Sequence, residues 1–246
     1  MIKTLKNYIR QKKYSNKFKN TFLELKNLEK KTKPRFVFNK QNFQPCLNDN
    51  TALTGFDRHY VYHPAWAIRI VKEINPIKHI DISSTLHFCA SLSAIVPVDF
   101  YDFRPAKLDL SNLNSLQGNL LNLPFASNSI ESISCMHTIE HIGLGRYGDT
   151  LDYDGDIKAI NELKRVVSIG GDLLFVTPIG AKNLICFNAH RIYTKELVMQ
   201  LFSELQLIEF TLIPENDEDG GLIIDPSVEL LNRQKYACGC FWFKKL

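Results

Sequence analysis

The chain has 246 residues and a mass of 28.3 kDa, with 45% apolar and 23% charged residues, the balance of an ordinary globular protein long enough for a self-sufficient core. No run of 18 apolar residues occurs and the start has no apolar stretch of signal-peptide length, which argues against a membrane-spanning helix and against export by that route. Six scattered cysteines exclude a disulfide scaffold and read as reduced thiols, so a cytoplasmic setting is expected.

The net charge of +4 hides an asymmetry. The first 40 residues hold 13 Lys+Arg and 2 Asp+Glu, whereas the other 206 hold 17 and 24. Residues 1–33 read as helical: Phe18, Phe22, Leu25 and Leu28 fall near one helix face, Ile2, Leu5 and Ile9 repeat the pattern, and Pro34 is a natural stop. Such a basic amphipathic arm suits peripheral contact with an anionic membrane face or another protein. It suits a nucleic acid less, because the aromatic interleaving of RNA modules is missing. The plain alternative is a solvated helix docked by its apolar edge. Residues 1–50 are thus expected to form a basic helical extension and linker, and residues 51–246 an α/β domain.

From residue 77 the apolar period switches repeatedly. Strands are expected at Ile77–Ile82, Val98–Tyr101, Gln117–Leu121, Ile130–Met136, Asp172–Thr177, Leu207–Ile213 and Tyr236–Phe243. Helices are expected after His59–Pro64, with Trp66 and Ile70, at Thr85–Ile95, at Asp156–Val167 with Ile157, Ile160, Leu163 and Val167 on one face and Gly170-Gly171 as terminator, and at Thr194–Leu205 capped by Thr194. Strands separated by helices imply a mostly parallel sheet covered on both faces. Ligands then bind at the carboxyl ends of the strands, which directs attention to Asp81–Thr85, Asp102–Arg104, Asn119, His137–His141 and the segment after Pro178.

The phrases at those strand ends resemble class I S-adenosylmethionine-dependent methyltransferases. Gly118-Asn119-Leu120-Leu121-Asn122-Leu123-Pro124-Phe125, Ser129–Cys135, Thr138-Ile139-Glu140-His141, Ala159–Val166 followed by Gly170-Gly171, and Leu174–Pro178 follow that family's order and spacing. The phrases FDRHYVYHPAWAIRI, HIDISS, EHIGLGRYGDTLDYDGD and CGCFWFKK also resemble the uncharacterised DUF268-type proteins, across residues 55–244. The resemblance implies a Rossmann-like, seven-strand sheet ending in an antiparallel strand, and S-adenosyl-L-methionine as cofactor.

Carried over residue by residue, the resemblance implies cofactor contacts from Asp81, Ser83, Ser84, Asp102, Asn119, Leu120 and His137. Asp102 would take the ribose hydroxyls, and Asn119 stands where the family has an acid facing the adenine amino group. The turn after Asp81, Ile82-Ser83-Ser84-Thr85, departs from the family in having no glycine; serine can still hydrogen-bond a carboxylate there, and the following helix offers free N–H groups.

For proton removal from an acceptor hydroxyl, His137 and His141 are the candidate bases, with Glu140 able to orient one of them. Tyr60 and His63, Arg146 and Tyr147, and His190 and Arg191 are candidates for holding a polar acceptor; ordinary packing is the alternative for each. Gly143-Leu144-Gly145-Arg146-Tyr147-Gly148 matches a dinucleotide fingerprint in letters only, since no helix follows at once. No resident metal is expected. Asp152, Asp154 and Asp156 are weak candidates that lack the calcium-loop spacing and read better as charges at a helix start. Cys238 and Cys240 share one face of a strand, yet two thiols are half a zinc site and no partner pair is visible at ligand spacing, so they read as core.

The expectation is therefore methyl transfer to an oxygen of a small polar or saccharide acceptor, with a role in surface-polysaccharide biosynthesis. Rivals are a non-catalytic or differently liganded Rossmann-like protein, motivated by the glycine-free turn, and a nucleic-acid methyltransferase using the basic arm.

Overall fold

A computed structural model describes residues 2–246, with side chains described from Asn16 onward. It divides into two compact units, Met1–Gly55 and Phe56–Leu246. In the first, α1 (Ile2–Glu29) is followed by a single 3-10 turn at Lys40–Asn42. Phe18 and Phe22 pack edge-to-face on Phe43 at 5.0 and 4.7 Å, and Phe22 on Phe38 at 4.9 Å. Leu25 and Leu28, expected on the same face, are exposed; Lys26 turns inward instead, donating to the Phe38 carbonyl at 2.7 Å and pairing with Glu29. The pattern at Ile2, Leu5 and Ile9 lies outside the residues whose side chains are described.

The second unit runs α2 (Arg58–Ile74), β1 (His79–Ile82), α3 (Leu86–Leu92), β2 (Val98–Asp102), β3 (Leu113–Gln117) and β4 (Ile130–Met136). Then come α4 (Gly155–Val166), β5 (Val167–Ile179), a hairpin of β6 (Leu184–Cys186) and β7 (His190–Ile192), α5 (Lys195–Leu201), β8 (Gln206–Ile213), β9 (Ile223–Ile224), α6 (Val228–Arg233) and β10 (Ala237–Lys244). The sheet order is β3-β2-β1-β4-β5-β10-β8-β9. The first five strands are parallel, and β10 enters antiparallel between β5 and β8. An eighth strand, the two-residue edge β9, extends the seven expected. Among the described residues no helix is long and apolar enough to cross a membrane.

Strand alternation divides the apolar side chains between two cores. Ile80, Ile82, Ile133, Phe175, Phe241 and Phe243 face α4 and α5, while Phe100, Met136, Leu174, Val176, Cys238 and Cys240 face α2 and α3. Each large side chain so buried contributes about 1.5–3 kcal/mol.

Several element boundaries differ from the sequence reading. The third strand is Leu113–Gln117, because residues 119–122 close a turn in which Asn122 N–H donates to the Asn119 carbonyl at 2.9 Å. Helix α2 begins before the His59–Pro64 phrase, with Asp57 as its N-cap. His59, His63, Trp66, Ala67, Ile70 and Val71 are its buried residues, at helical spacing. In α4 the buried stripe is Ala159, Ile160, Leu163 and Val166, and Ile157 is exposed. Gly170-Gly171 lies inside β5 as a bulge, where the register on β4 jumps. Pro178 also lies within β5. Its missing N–H faces the side that β4 has already left, where its carbonyl accepts from Tyr193 N–H at 3.0 Å.

Candidate functional site

The chain leaves β1 toward β2 on one side and returns to β4 on the other. This reversal opens a crevice at the carboxyl ends of the parallel strands. A cavity of about 480 Å³ lies there, lined by Ser83 after β1, Asp102 closing β2, Asn119 and Leu120 after β3, and His137 and His141 after β4. Its volume falls in the range of small-molecule and cofactor sites, roughly 300–1,000 Å³.

Ser83 takes the place of the missing glycine in the turn after β1. Its φ of 54° is left-handed, a conformation that costs a non-glycine residue about 1–2 kcal/mol. Its N–H and Oγ donate to the Tyr101 carbonyl at 2.8 and 3.2 Å, and its own carbonyl accepts from Thr138 Oγ1 at 2.9 Å. Strands β1, β2 and β4 thus hold the turn in place. Ser84 and Asp81 do not line the cavity. Ser84 Oγ accepts from Met136 N–H at 3.0 Å. Asp81 is fully buried and accepts from Ser84 N–H at 3.0 Å, Cys89 Sγ at 3.3 Å and the Ser134 hydroxyl. The turn needs a buried acceptor for its N–H, and that need explains an acid a ligand cannot reach.

Asp102 does reach the cavity. One carboxylate oxygen accepts from Arg104 N–H at 2.7 Å. Asn119 Oδ1 is taken by Leu121 N–H at 3.0 Å, which turns its donor nitrogen into the adaptable role. Leu120 adds an apolar wall.

Beyond β4, His141 Nδ1 lies 2.7 Å from the Ala189 carbonyl. That contact requires the proton on Nδ1 and leaves the Nε2 lone pair available. Burial holds its pKa below the usual value, against an opposing pull from Glu140, so the imidazole is neutral at pH 7. His137, also at a left-handed φ of 54°, donates from Nδ1 to Glu140 Oε1 at 2.9 Å, and its Nε2 faces Cys238 Sγ at 3.4 Å. Burial lowers His137 to about 4 and raises Glu140 to about 7, so this contact is a hydrogen bond from a neutral imidazole and not an ion pair. Glu140 itself lies behind the cavity, holding His137 and standing 3.8 Å from His141 Nε2.

The loop after β4 forms the outer wall with Gly143, Tyr147 and Asp152. Asp149 organises it, accepting from Gly143, Gly145 and Tyr147 N–H groups at 2.8–3.2 Å. The guanidinium groups of Arg104 and Arg146 lie 4.8 and 5.1 Å from the Tyr147 ring. Arg104 and Thr138 lie in strand-end segments that the sequence singles out, though without an assigned role, and Asp149 was not among the expected site residues; the hydrogen bonds of Thr138 and Asp149 depend on the folded path of the chain.

Other expected contacts fall outside the cavity. Arg146 lies behind Tyr147 and donates to the Ala189 carbonyl at 3.0 Å. Arg191 is buried, donating to the Ile142 and Tyr153 carbonyls at 2.6 and 3.0 Å and standing 3.6 Å from Asp156; it locks the loop. Asp156 also accepts from the Tyr193 hydroxyl at 2.9 Å, while Asp152 pairs with Lys158 at 2.5 Å and Asp154 caps α4 without a side-chain bond. Asp152 and Asp156 go to separate partners, and the three carboxylates are not drawn together into one cluster.

Tyr60, His63 and His190 surround a second feature, a buried imidazole cluster. His137 lies 5.1 Å from His59, 5.3 Å from Tyr60 and 5.0 Å from His63 between ring centroids. Tyr236 stacks on His59 at 5.0 Å and lies 4.9 Å from His190. Burial lowers His59 to about 4 and His63 to about 3, with the neighbouring His137 adding to both shifts.

The family described as "Caenorhabditis protein of unknown function, DUF268" matches residues 121–219, a narrower stretch than the sequence phrases suggested. An uncharacterized protein of Methanocaldococcus jannaschii is 29% identical over 114 residues, covering 41% of this chain and 44% of the relative. The chain thus spans less than half the length of that relative. Among solved structures, a protein of Galdieria sulphuraria provisionally assigned as a sarcosine dimethylglycine methyltransferase is similar with a TM-score of 0.52, 14% identity and coverage of 74% and 84% of the two chains. A TehB-like SAM-dependent methyltransferase of Corynebacterium glutamicum is similar with a TM-score of 0.50, 16% identity and coverage of 76% and 89%. Residues 121–219 are therefore similar to the DUF268 family, and the chain has the fold seen in class I S-adenosylmethionine-dependent methyltransferases.

Proposed function

We propose that the chain transfers a methyl group from S-adenosyl-L-methionine to an oxygen of a small polar or saccharide acceptor. The observation that carries this reading is the cavity at the strand ends with the Asp102 carboxylate on its wall beside Leu120. The lining fits the cofactor. Asp102 would accept from the ribose hydroxyls, Asn119 and Leu120 would meet the adenine, and Ser83 with its turn would meet the methionine end. S-adenosylmethionine supplies an activated methyl group, so the protein's task is alignment and, for a hydroxyl acceptor, proton removal. His141 suits that task because its Nε2 is unprotonated and it lines the same cavity. Arg104 and Tyr147 at the rim offer a charged, aromatic platform for a polar acceptor.

Calorimetric titration with S-adenosylmethionine and S-adenosylhomocysteine tests the reading. Micromolar binding is expected, and Asp102→Ala should weaken it by about tenfold or more, because hydrogen bonds to a charged acceptor contribute about 1.5–3 kcal/mol each. A folded protein that binds neither ligand at millimolar concentration would overturn the cofactor reading. That outcome favours a differently liganded protein whose serine turn has reshaped the pocket.

A further inference from the structure

We propose that His59, His137 and Cys238 form a three-ligand site for a borderline-soft divalent metal ion, Zn²⁺ foremost. One ligand atom from each lies within 4.8 Å of the other two, and all three residues are buried. The pair His137 Nε2 and Cys238 Sγ is 3.4 Å apart. Zn–N and Zn–S bonds of about 2.0 and 2.3 Å at a tetrahedral angle place such a pair about 3.5 Å apart. His59 then has to close by little more than an ångström. Two imidazoles and a thiolate are the donor set that selects zinc over the oxygen-seeking cations.

The surroundings point the same way. Glu140 accepts from His137 Nδ1, the outer support that fixes which nitrogen of a metal-bound imidazole faces the ion. The other Glu140 oxygen is buried with no hydrogen-bond partner among the described residues, and so is His63 Nε2. Buried polar groups left unpaired are costly, and both belong to groups packed around this one cluster. Metal binding requires the Cys238 thiolate, so uptake of the ion releases the thiol proton. Sequence spacing builds the site from distant segments. His59 and His63 stand four residues apart on the buried face of α2, Cys238 projects from β10 toward that same core, and His137 follows β4.

The test uses the full chain with Cys46 and Cys186 replaced by serine, since both are exposed thiols that bind metal adventitiously. Metal-free protein titrated with Co²⁺ should take up one ion with a thiolate-to-cobalt charge-transfer band, and Zn²⁺ should displace it. Cys238→Ser should abolish the band, and Glu140→Gln should weaken affinity about 10–100-fold while leaving the band in place at saturation. His59→Gln, with its fold checked by circular dichroism, should weaken affinity further still. Failure of the folded parent to bind Co²⁺, or binding indifferent to Cys238→Ser, would sink the proposal. Neither result bears on S-adenosylmethionine binding, which is read separately by calorimetry.

Discussion

Asp81 shows how a side chain at a ligand-binding strand end can serve the backbone instead. It stands one residue before the end of β1, yet its oxygens are spent on the turn and on Ser134, whose hydroxyl in turn meets His79 Nε2 at 2.9 Å. Burial raises its pKa from 3.8 to about 6, against hydrogen bonds that pull it down. A carboxyl that holds its proton more tightly when folded stabilises the protein fully below pH 3.8, and this stabilisation is lost as pH rises through 6. A shift of about two units corresponds to about 3 kcal/mol. Asp81→Asn keeps an acceptor for Ser84 and can donate to Ser134, while removing the titration. The variant should therefore gain about 3 kcal/mol relative to the parent between pH 4 and pH 7, read from urea midpoints. His79 is common to both proteins and cancels. A gap that does not change with pH would mean that Asp81 titrates as an ordinary carboxyl. At this scale the sequence located the ends of β1 and β2 but could not separate Asp81 from Asp102. Asp81 pairs with Phe100, so Asp102 stands two residues further toward the open end of the sheet, and that depth distinguishes a turn anchor from a cavity wall.

Among the elements, the loop between β4 and α4 does the most to shape the cavity, and it closes on Gly143. This residue has a φ of 80°, its N–H donates to Asp149 and its carbonyl accepts from Asp152 N–H at 3.0 Å. A Cβ there would sit 2.1 Å from the Asp152 carbonyl oxygen, so the obstruction is backbone and cannot rotate away. Gly143→Ala should cost about 1–3 kcal/mol and free the loop. Limited proteolysis should then cut between residues 143 and 155 in the variant before the parent is touched. Equal resistance would show that the loop tolerates the shift. Periodicity made α4 legible, because it buries one face at the helical repeat, whereas β4, β8 and β10 each bury at least four successive residues, hence both faces, and were marked by short stretches bounded by turn signals. It failed for β3, whose exposed edge carries little apolar pattern. It also failed for the start of α2, where His59 and His63 occupy positions that apolar residues normally mark. The imidazole cluster stayed hidden for the same reason, since its members come from α2, the β4 end and β10 and share no sequence spacing.

Taken as a whole, the molecule carries its charge in opposite senses in its two units. Residues 56–246 hold 17 Lys+Arg and 23 Asp+Glu, a net of −6 within a chain whose total is +4. All the side chains of both sheet cores belong to that second unit. So do the Asp57 cap of α2 and the Arg58 contact to the Pro214 carbonyl at 3.1 Å, which fasten its first helix. Stability in such a unit comes from buried area and satisfied ends, and net charge governs solubility and partners. A fragment of residues 56–246 should therefore fold by itself, with an unfolding free energy within about 0.5 kcal/mol of the same transition in the full chain, the range expected when no core contact is lost. At pH 7 it should bind an anion exchanger, whereas the full chain binds a cation exchanger. Its calorimetric response to S-adenosylmethionine should match that of the full chain, because every residue of the strand-end cavity is retained. A fragment that is unfolded or aggregated would mean that the first unit contributes to the core, and a folded fragment with weakened cofactor binding would assign the basic unit a part in the site.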